Sequence, residues 1–297
     1  MRIEERPVRV AFQGEPGAFS EEAAARLLGG DAVTVPCATF EGAFRAVAEG
    51  NADALVVPIE NSLAGSVLRV YDLLLESRLT IAAEAVLPIE LCLIGCPGAT
   101  LGGVQSVESH PMALAQCERL FAEHREWARV AAEDTAGSVR SVVEARDRTR
   151  AAIAGPHAAA HYGGIILQRD VQDNAGNFTR FLLLTEPEDA APAGDKVTLA
   201  LRLAHLPGAL VSALEPFARR ELNLLKIESR PIHGCPWEYQ FFLDVEADAG
   251  EPASAGGPIE EALEELRRTV QWVRVLGRYK AARVAEQQLP AAMGRIQ

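Results

Sequence analysis

The chain of 297 residues contains no run of about 18 apolar residues, so no membrane-spanning helix is expected. No apolar signal core follows the charged start MRIEERPVRVAF, and the expected location is the cytoplasm. Positive charge is also scarce: 29 Lys and Arg face 41 Asp and Glu, a net charge of -12. A surface this acidic repels phosphate backbones, which argues against nucleic-acid or anionic-membrane partners. It does not exclude an anionic substrate, because a pocket can be locally positive. The five cysteines, Cys37, Cys92, Cys96, Cys117 and Cys235, are odd in number and scattered, so they frame no disulfide scaffold. Cys92 and Cys96 lack a second Cys or His pair, and no metal is expected. The chain has no G-x-G-x-x-G, no G-x-x-x-x-G-K-[ST] and no G-x-S-x-G, so dinucleotide binding, a phosphate loop and a nucleophile elbow lose support. No cofactor is implied.

What is present is a strand-helix alternation over residues 1–185. Val8–Phe12 reads as a strand, Gly14–Gly17 as a loop, and Ser20 as the cap of a first helix. Phe40, Ala43, Phe44 and Val47 form one helical stripe, ADALVVPIEN a buried strand, and 66–76 a further helix. The rhythm continues through LCLIG, a helix after His110-Pro111, ARVAAE, a helix from about Ala136, AAIAG, GIILQ and FTRFLLLT. This predicts an α/β region of two lobes around a cleft, approximately 1–85 plus 173–185 and 86–172. Residues 186–195, rich in Pro, Ala and acid, read as a linker. Residues 196–285 then follow a β-α-β-β-α-β order, a ferredoxin-like α+β plan, and 286–297 a tail.

Polar clusters fall at predicted strand ends: Glu60-Asn61-Ser62, Glu108-Ser109-His110-Pro111, Glu133-Asp134-Thr135 and Asn177-Phe178-Thr179-Arg180-Phe181. Singly these are ordinary turn and cap residues; four together suggest a site. LAGSV at 63–67 and TAGSV at 135–139 each open a helix-like stretch. Their free N–H groups, beside Ser66 and Ser138, could grip two carboxylates, or they could be unrelated caps.

PIENSLAGSV, ESHPMALAQC, EDTAGS and NFTRF together resemble the prephenate dehydratase family, and GALV at 208–211 with ESRP at 228–231 resembles its ACT regulatory domain. The resemblance covers roughly residues 8–280. It implies a two-lobed, periplasmic-binding-protein-like catalytic region with a C-terminal ACT domain, and decarboxylative dehydration of prephenate to phenylpyruvate. Thr179 matches the family's essential threonine, the expected acid; alone it would read as a β-branched strand residue. Asn61, Ser109 and Gln116 match active-site positions, with Ser62, Ser66, Thr135, Ser138 and Phe181 as further substrate contacts. Arg180 suits a carboxylate, although strand alternation sends it to the opposite face, where a salt bridge is the alternative. Glu60 and Glu133 would repel a dianion and are read as supporting neighbours, as is His110, which before Pro111 also fits a helix start.

The resemblance further implies phenylalanine as allosteric effector, bound through Gly208, Ala209, Leu210, Val211, Glu228, Ser229, Arg230 and Pro231, and a homodimer or homotetramer. Some members of that family carry an N-terminal chorismate mutase helix bundle; with the first strand read from about Val8, that activity is not expected. Arogenate dehydratase remains an alternative, as does a non-catalytic cytosolic small-molecule sensor.

Overall fold

Long apolar runs bounded by turn residues build the two mixed sheets of the first region. The computed structural model describes residues 6–189, 194–232, 234–246 and 257–282. The chain starts β1 (Arg9–Gln13), α1 (Phe19–Leu28), β2 (Val33–Cys37), α2 (Phe40–Ala48), β3 (Ala54–Asn61), β4 (Gly65–Ser66), α3 (Leu68–Glu76) and β5 (Thr80–Pro88). A second lobe follows with β6 (Cys92–Gly95), β7 (Ser106–Ser109), α4 (Pro111–Ala115), α5 (Glu118–Glu123), β8 (Ala128–Ala131), α6 (Thr135–Ala145), β9 (Arg150–Ala154), α7 (Pro156–Tyr162) and β10 (Ile165–Gln168). The chain then returns to the first sheet as β11 (Phe178–Thr185). The first sheet runs β2-β1-β3-β11-β5 with β4 on β3, and the second β10-β6-β9-β7-β8.

β1 and β3 pair in parallel, and Val10, Ala11, Phe12, Leu55, Val56 and Val57 are fully buried, as a strand covered on both faces requires. The second lobe buries one apolar cluster around Leu93, Val107, Phe121 and Ile153, and another around Ile94, Val139 and Ala158. Glycines let the lobes approach: a Cβ on Gly17 would lie 2.8 Å from the Ala158 backbone, and one on Gly155 2.9 Å from the Phe19 ring.

The remaining elements are β12 (Lys196–Arg202), α8 (Ala209–Ala218), β13 (Leu224–Pro231), β14 (Tyr239–Glu246), α9 (Pro258–Thr269) and β15 (Trp272–Tyr279). Their sheet order, β13-β14-β12-β15, is antiparallel throughout, a ferredoxin-like topology. α8 and α9 press Ala213, Phe217, Ile259 and Leu266 onto Val197, Leu199, Leu201 and Leu243.

By internal contacts, Asp72–Glu84 groups with Leu182–Ala282 rather than with the lobes around it in sequence. The reason is polar as well as apolar. The Arg274 guanidinium donates to the carbonyls of Leu75 and Ser77, at 3.3 and 2.9 Å, closing the C-terminal end of α3. Arg230 pairs with Asp72 at 2.6 Å, and Thr80 Oγ1 donates to Leu276 O. A Cβ on Gly277 would come within 2.3 Å of Ile81 O, so only glycine fits there. The expected boundary at 185 follows chain order and misses this regrouping. Residues 190–193 of the expected linker, 283–285 and the expected tail 286–297 lie outside the described residues.

Several local expectations need correction. Ser20 is not a cap: α1 starts after Ala18, which makes no side-chain cap bond. Gly65-Ser66 is a two-residue strand paired with Glu60-Asn61, so α3 starts only at Leu68. The helix after His110 ends at Ala115, and Gln116 follows it as the C-cap residue. β2 and β5 carry too few alternating residues to be read from sequence.

Candidate active site

The turn after β3 and the start of β11 are laced together by three side chains. Ser62 Oγ accepts the Phe178 N–H at 2.9 Å and donates to Gly176 O at 2.8 Å. Asn61 Oδ1 accepts the N–H groups of Leu63 and Ala64, at 3.0 and 2.8 Å. Those two bonds fix the amide's orientation, because only the oxygen can accept. Asn61 Nδ2 is therefore turned to Thr179 Oγ1 at 2.9 Å and Asn177 Oδ1 at 2.7 Å. Asn177, 1% exposed, passes the order on: its Nδ2 donates to Gln116 Oε1 at 2.9 Å, joining the two lobes.

Two consequences follow for chemistry. Thr179 Oγ1 accepts from Asn61, so its own proton is free for a ligand, and that N–H stabilises charge developing on the oxygen. Gln116, whose oxygen is taken, retains its Nε2 as a donor with no partner among the described residues.

These residues line a cavity of about 390 Å³ with Gln13, Pro58, Ile89, Leu91 and Met112. Of the expected site residues, Asn61, Gln116, Thr135, Thr179 and Phe181 line it, together with the supporting His110 and Glu133. Ser62, Ser66, Ser109, Ser138, Arg180 and Glu60 do not. Ser109 is buried and donates to Ile153 O at 2.6 Å, tying β7 to β9. Ser138 Oγ bonds back to Asp134 O at 2.7 Å, an internal helix bond. Ser62 acts on the loop, as above. Arg180 follows strand alternation: Thr179 and Phe181 turn to the cavity, while Arg180 sits 4.0 Å from Glu60. The carboxylate-binding expectation for Arg180 is not supported by this placement.

Both expected motifs reach the cavity, LAGSV through Ala64 and Val67 just before α3 and TAGSV through Thr135, and two open helix starts face it. They belong to α1 and α6, from opposite lobes, with Ala18, Phe19 and Ser20 on one side and Asp134 and Thr135 on the other. Asp134 Oδ1 caps Gly137 N at 2.6 Å, close enough that a Cβ on Gly137 would meet the carboxylate at 2.7 Å. The first two N–H groups of each helix have no acceptor among the described residues. His110 Nδ1 accepts Met112 N–H at 3.2 Å, the helix-start role.

Sequence reasoning left Asn177 and Asp134 out of the expected contacts, although both stand inside the polar clusters. The signal for Asn177 was its place beside Phe178-Thr179; its cross-lobe bond to Gln116 had none. The Asn177–Phe181 cluster opens β11, whereas the others follow strands, so the rule of strand C-terminal ends covers only three of the four.

In the second unit, Ala209 and Leu210 line a cavity of about 160 Å³ with His205, Leu206, Glu238 and Tyr239. Gly208 opens α8 at φ 84°, and Val211 is 72% exposed. Glu228, Ser229, Arg230 and Pro231 lie on the edge strand β13 and do not line that cavity, although Ser229 and Pro231 pair with its lining residues Phe241 and Tyr239; Glu228 is 3.7 Å from Lys226.

A family model described as prephenate dehydratase matches residues 10–189. Arogenate dehydratase 3, a chloroplastic protein of Arabidopsis thaliana, is 40% identical over 290 residues, covering 92% of this chain and 67% of its own length. Among solved structures, a prephenate dehydratase from Arthrobacter aurescens in complex with L-Phe is 34% identical with a TM-score of 0.82, covering 97% of this chain and 93% of that one. Another, described as a novel type of quorum-quenching acylase, is 36% identical with a TM-score of 0.83, covering 92% and 98%.

Proposed function

The chain belongs to the prephenate dehydratase family, and from that premise we propose that its cleft converts prephenate to phenylpyruvate with Thr179 as the acid. In the reaction the ring C–CO₂ bond breaks and its electron pair enters the ring. The opposite C–OH bond breaks, and the hydroxyl leaves as water with one added proton. Aromatisation drives the step, so the enzyme's task is to deliver that proton to the departing oxygen. The observation that carries the reading is the bond from Asn61 Nδ2 to Thr179 Oγ1, which leaves the threonine proton free at the cavity.

The substrate is a dianion, yet no Lys or Arg is among the described residues lining the cavity. Its carboxylates are received by neutral donors: the open N-termini of α1 and α6, whose dipoles favour negative charge, and Gln116 Nε2. Phe181, Ile89 and Leu91 supply the apolar wall for the ring. An acylase would need a nucleophile bonded to a base. No described hydroxyl bonds His110, which is engaged with Met112, so the geometry favours the elimination.

The ferredoxin-like unit is read as an ACT domain with phenylalanine as effector, in line with the L-Phe complex of the Arthrobacter aurescens protein. Its small cavity beside Ala209 and Leu210 offers apolar walls and Glu238 for an amino acid. Exposed Leu225 and Ile227 on the edge strand fit a homodimer or homotetramer. A cytoplasmic location is proposed; among the described residues no helix is long and apolar enough to cross a membrane. The test is phenylpyruvate formation from prephenate by the purified chain, with and without phenylalanine. Turnover that responds to phenylalanine supports the reading; a folded protein inert towards prephenate and arogenate overturns it in favour of a sensor.

A further inference from the structure

The cleft is lopsided in charge. Among the described residues lining it there are two carboxylates, Glu133 and Asp134, and no Lys or Arg. Asp134 is occupied: its Oδ1 holds the Gly137 N–H at 2.6 Å, and its backbone oxygen accepts from Ser138. Glu133, exposed at the cavity wall, has no partner among the described residues. It stands two residues before Thr135, where the first two N–H groups of α6 have no described acceptor.

A free carboxylate beside two free helix N–H groups is the complement of a zwitterionic α-amino acid. The N–H groups take its carboxylate, and the glutamate takes its ammonium. A 2-oxo acid of the same frame offers a carbonyl oxygen where the ammonium would sit, and a carboxylate faces that oxygen with repulsion. We propose that Glu133 is a specificity-determining residue that favours a substrate whose side arm is an α-amino acid, arogenate, relative to the 2-oxo acid prephenate. The inference rests on the reading of this cleft as the dehydratase site. It makes Glu133 a contact that discriminates between substrates rather than an acid in the reaction.

The test compares kcat/KM for arogenate and prephenate in the full chain, as wild type, Glu133→Gln and Glu133→Asp, each checked for an unchanged thermal melt. Loss of one ion pair at this half-open site lowers the arogenate value by about tenfold in Glu133→Gln. The prephenate value rises as the repulsion is removed, so the ratio moves by more than about tenfold. Glu133→Asp keeps the charge and restores much of the wild-type ratio, which a purely steric role would not do. A ratio that stays within about twofold in Glu133→Gln overturns the inference alone, at the precision such comparisons allow. Wild type that turns over neither substrate overturns the reading of the cleft as well.

Discussion

The two compact units bury polar groups in opposite ways. In the first, the chain from Gln116 through Asn177 and Asn61 to Thr179 is neutral and ends at a cavity, with the Thr179 hydroxyl proton and the Gln116 amide NH₂ unspent among the described residues. In the second, Lys196 Nζ sits 3.0 Å from Glu84 and 3.7 Å from Asp244, among side chains at most 8% exposed. Thr198 Oγ1 bonds Asp244 at 2.7 Å and the Tyr279 hydroxyl at 2.6 Å, and Ala282 N–H donates to Glu84. Each of these side chains is bonded to another member of the cluster. Burial of a charge is tolerated only when it is paired and hydrogen-bonded, and here both carboxylates share one ammonium and take further hydrogen bonds. The lesson is that a polar network with loose ends marks chemistry, whereas one without them marks structure.

Breaking the closed network should cost most in stability. Lys196→Met strands two buried carboxylates and is expected to destabilise the second unit by about 3–5 kcal/mol, read from denaturant unfolding. A loss under about 1 kcal/mol would mean that the cluster is wetter than its burial indicates. The open network should answer in rate instead. Thr179→Val keeps the shape and removes the proton, so kcat falls by about a thousandfold with the melt unchanged. Asn61→Ala is expected to lower kcat by about thirtyfold and stability by about 2 kcal/mol, since Leu63, Ala64 and Asn177 lose a partner. Equal losses of rate in the two variants would deny Thr179 its separate role.

A smaller effect lies at the rim of the first sheet. The Arg9 side chain, hydrogen-bonded to Asp53, holds that carboxyl down at about 2. An unfolded aspartate titrates near about 3.9. The stabilisation is therefore complete above that value and is lost as pH falls through about 2. Because Asp53 is 27% exposed, screening limits its worth to about 1 kcal/mol. Asp53→Asn should show that deficit at neutral pH and lose it in acid, measured by thermal melts across the range. Last, burial raises the Cys92 and Cys117 thiols to about 12, so an alkylating reagent at neutral pH should label exposed Cys235 and leave those two unmodified.

Much of the fold and part of the site are legible in the order of amino acids alone. The runs VRVAF, ALVVPIEN and FTRFLLLT are apolar enough to be strands wherever they lie, and their burial follows. Thr179 and Phe181 share one face by alternation alone, which also sends Arg180 to the other. The β-α-β-β-α-β order likewise needs only local periodicity. Short or weakly patterned pieces carry no such signal. Gly65-Ser66 pairs as a strand because β3 lies beside it, not because of its own residues.

Sequence by itself determined the long, strongly patterned elements, the alternation of faces and the chemistry of the motif residues, because these depend on neighbours a few positions apart. Only the tertiary structure decided which residues meet across long separations. It placed Asn61 against Thr179, 118 residues away. It brought the start of α1 to the same cleft as the start of α6, and drew Asp72–Glu84 into the second unit through Arg230 and Arg274. Those pairings come from packing two sheets and satisfying buried polar groups, and no local pattern encodes them.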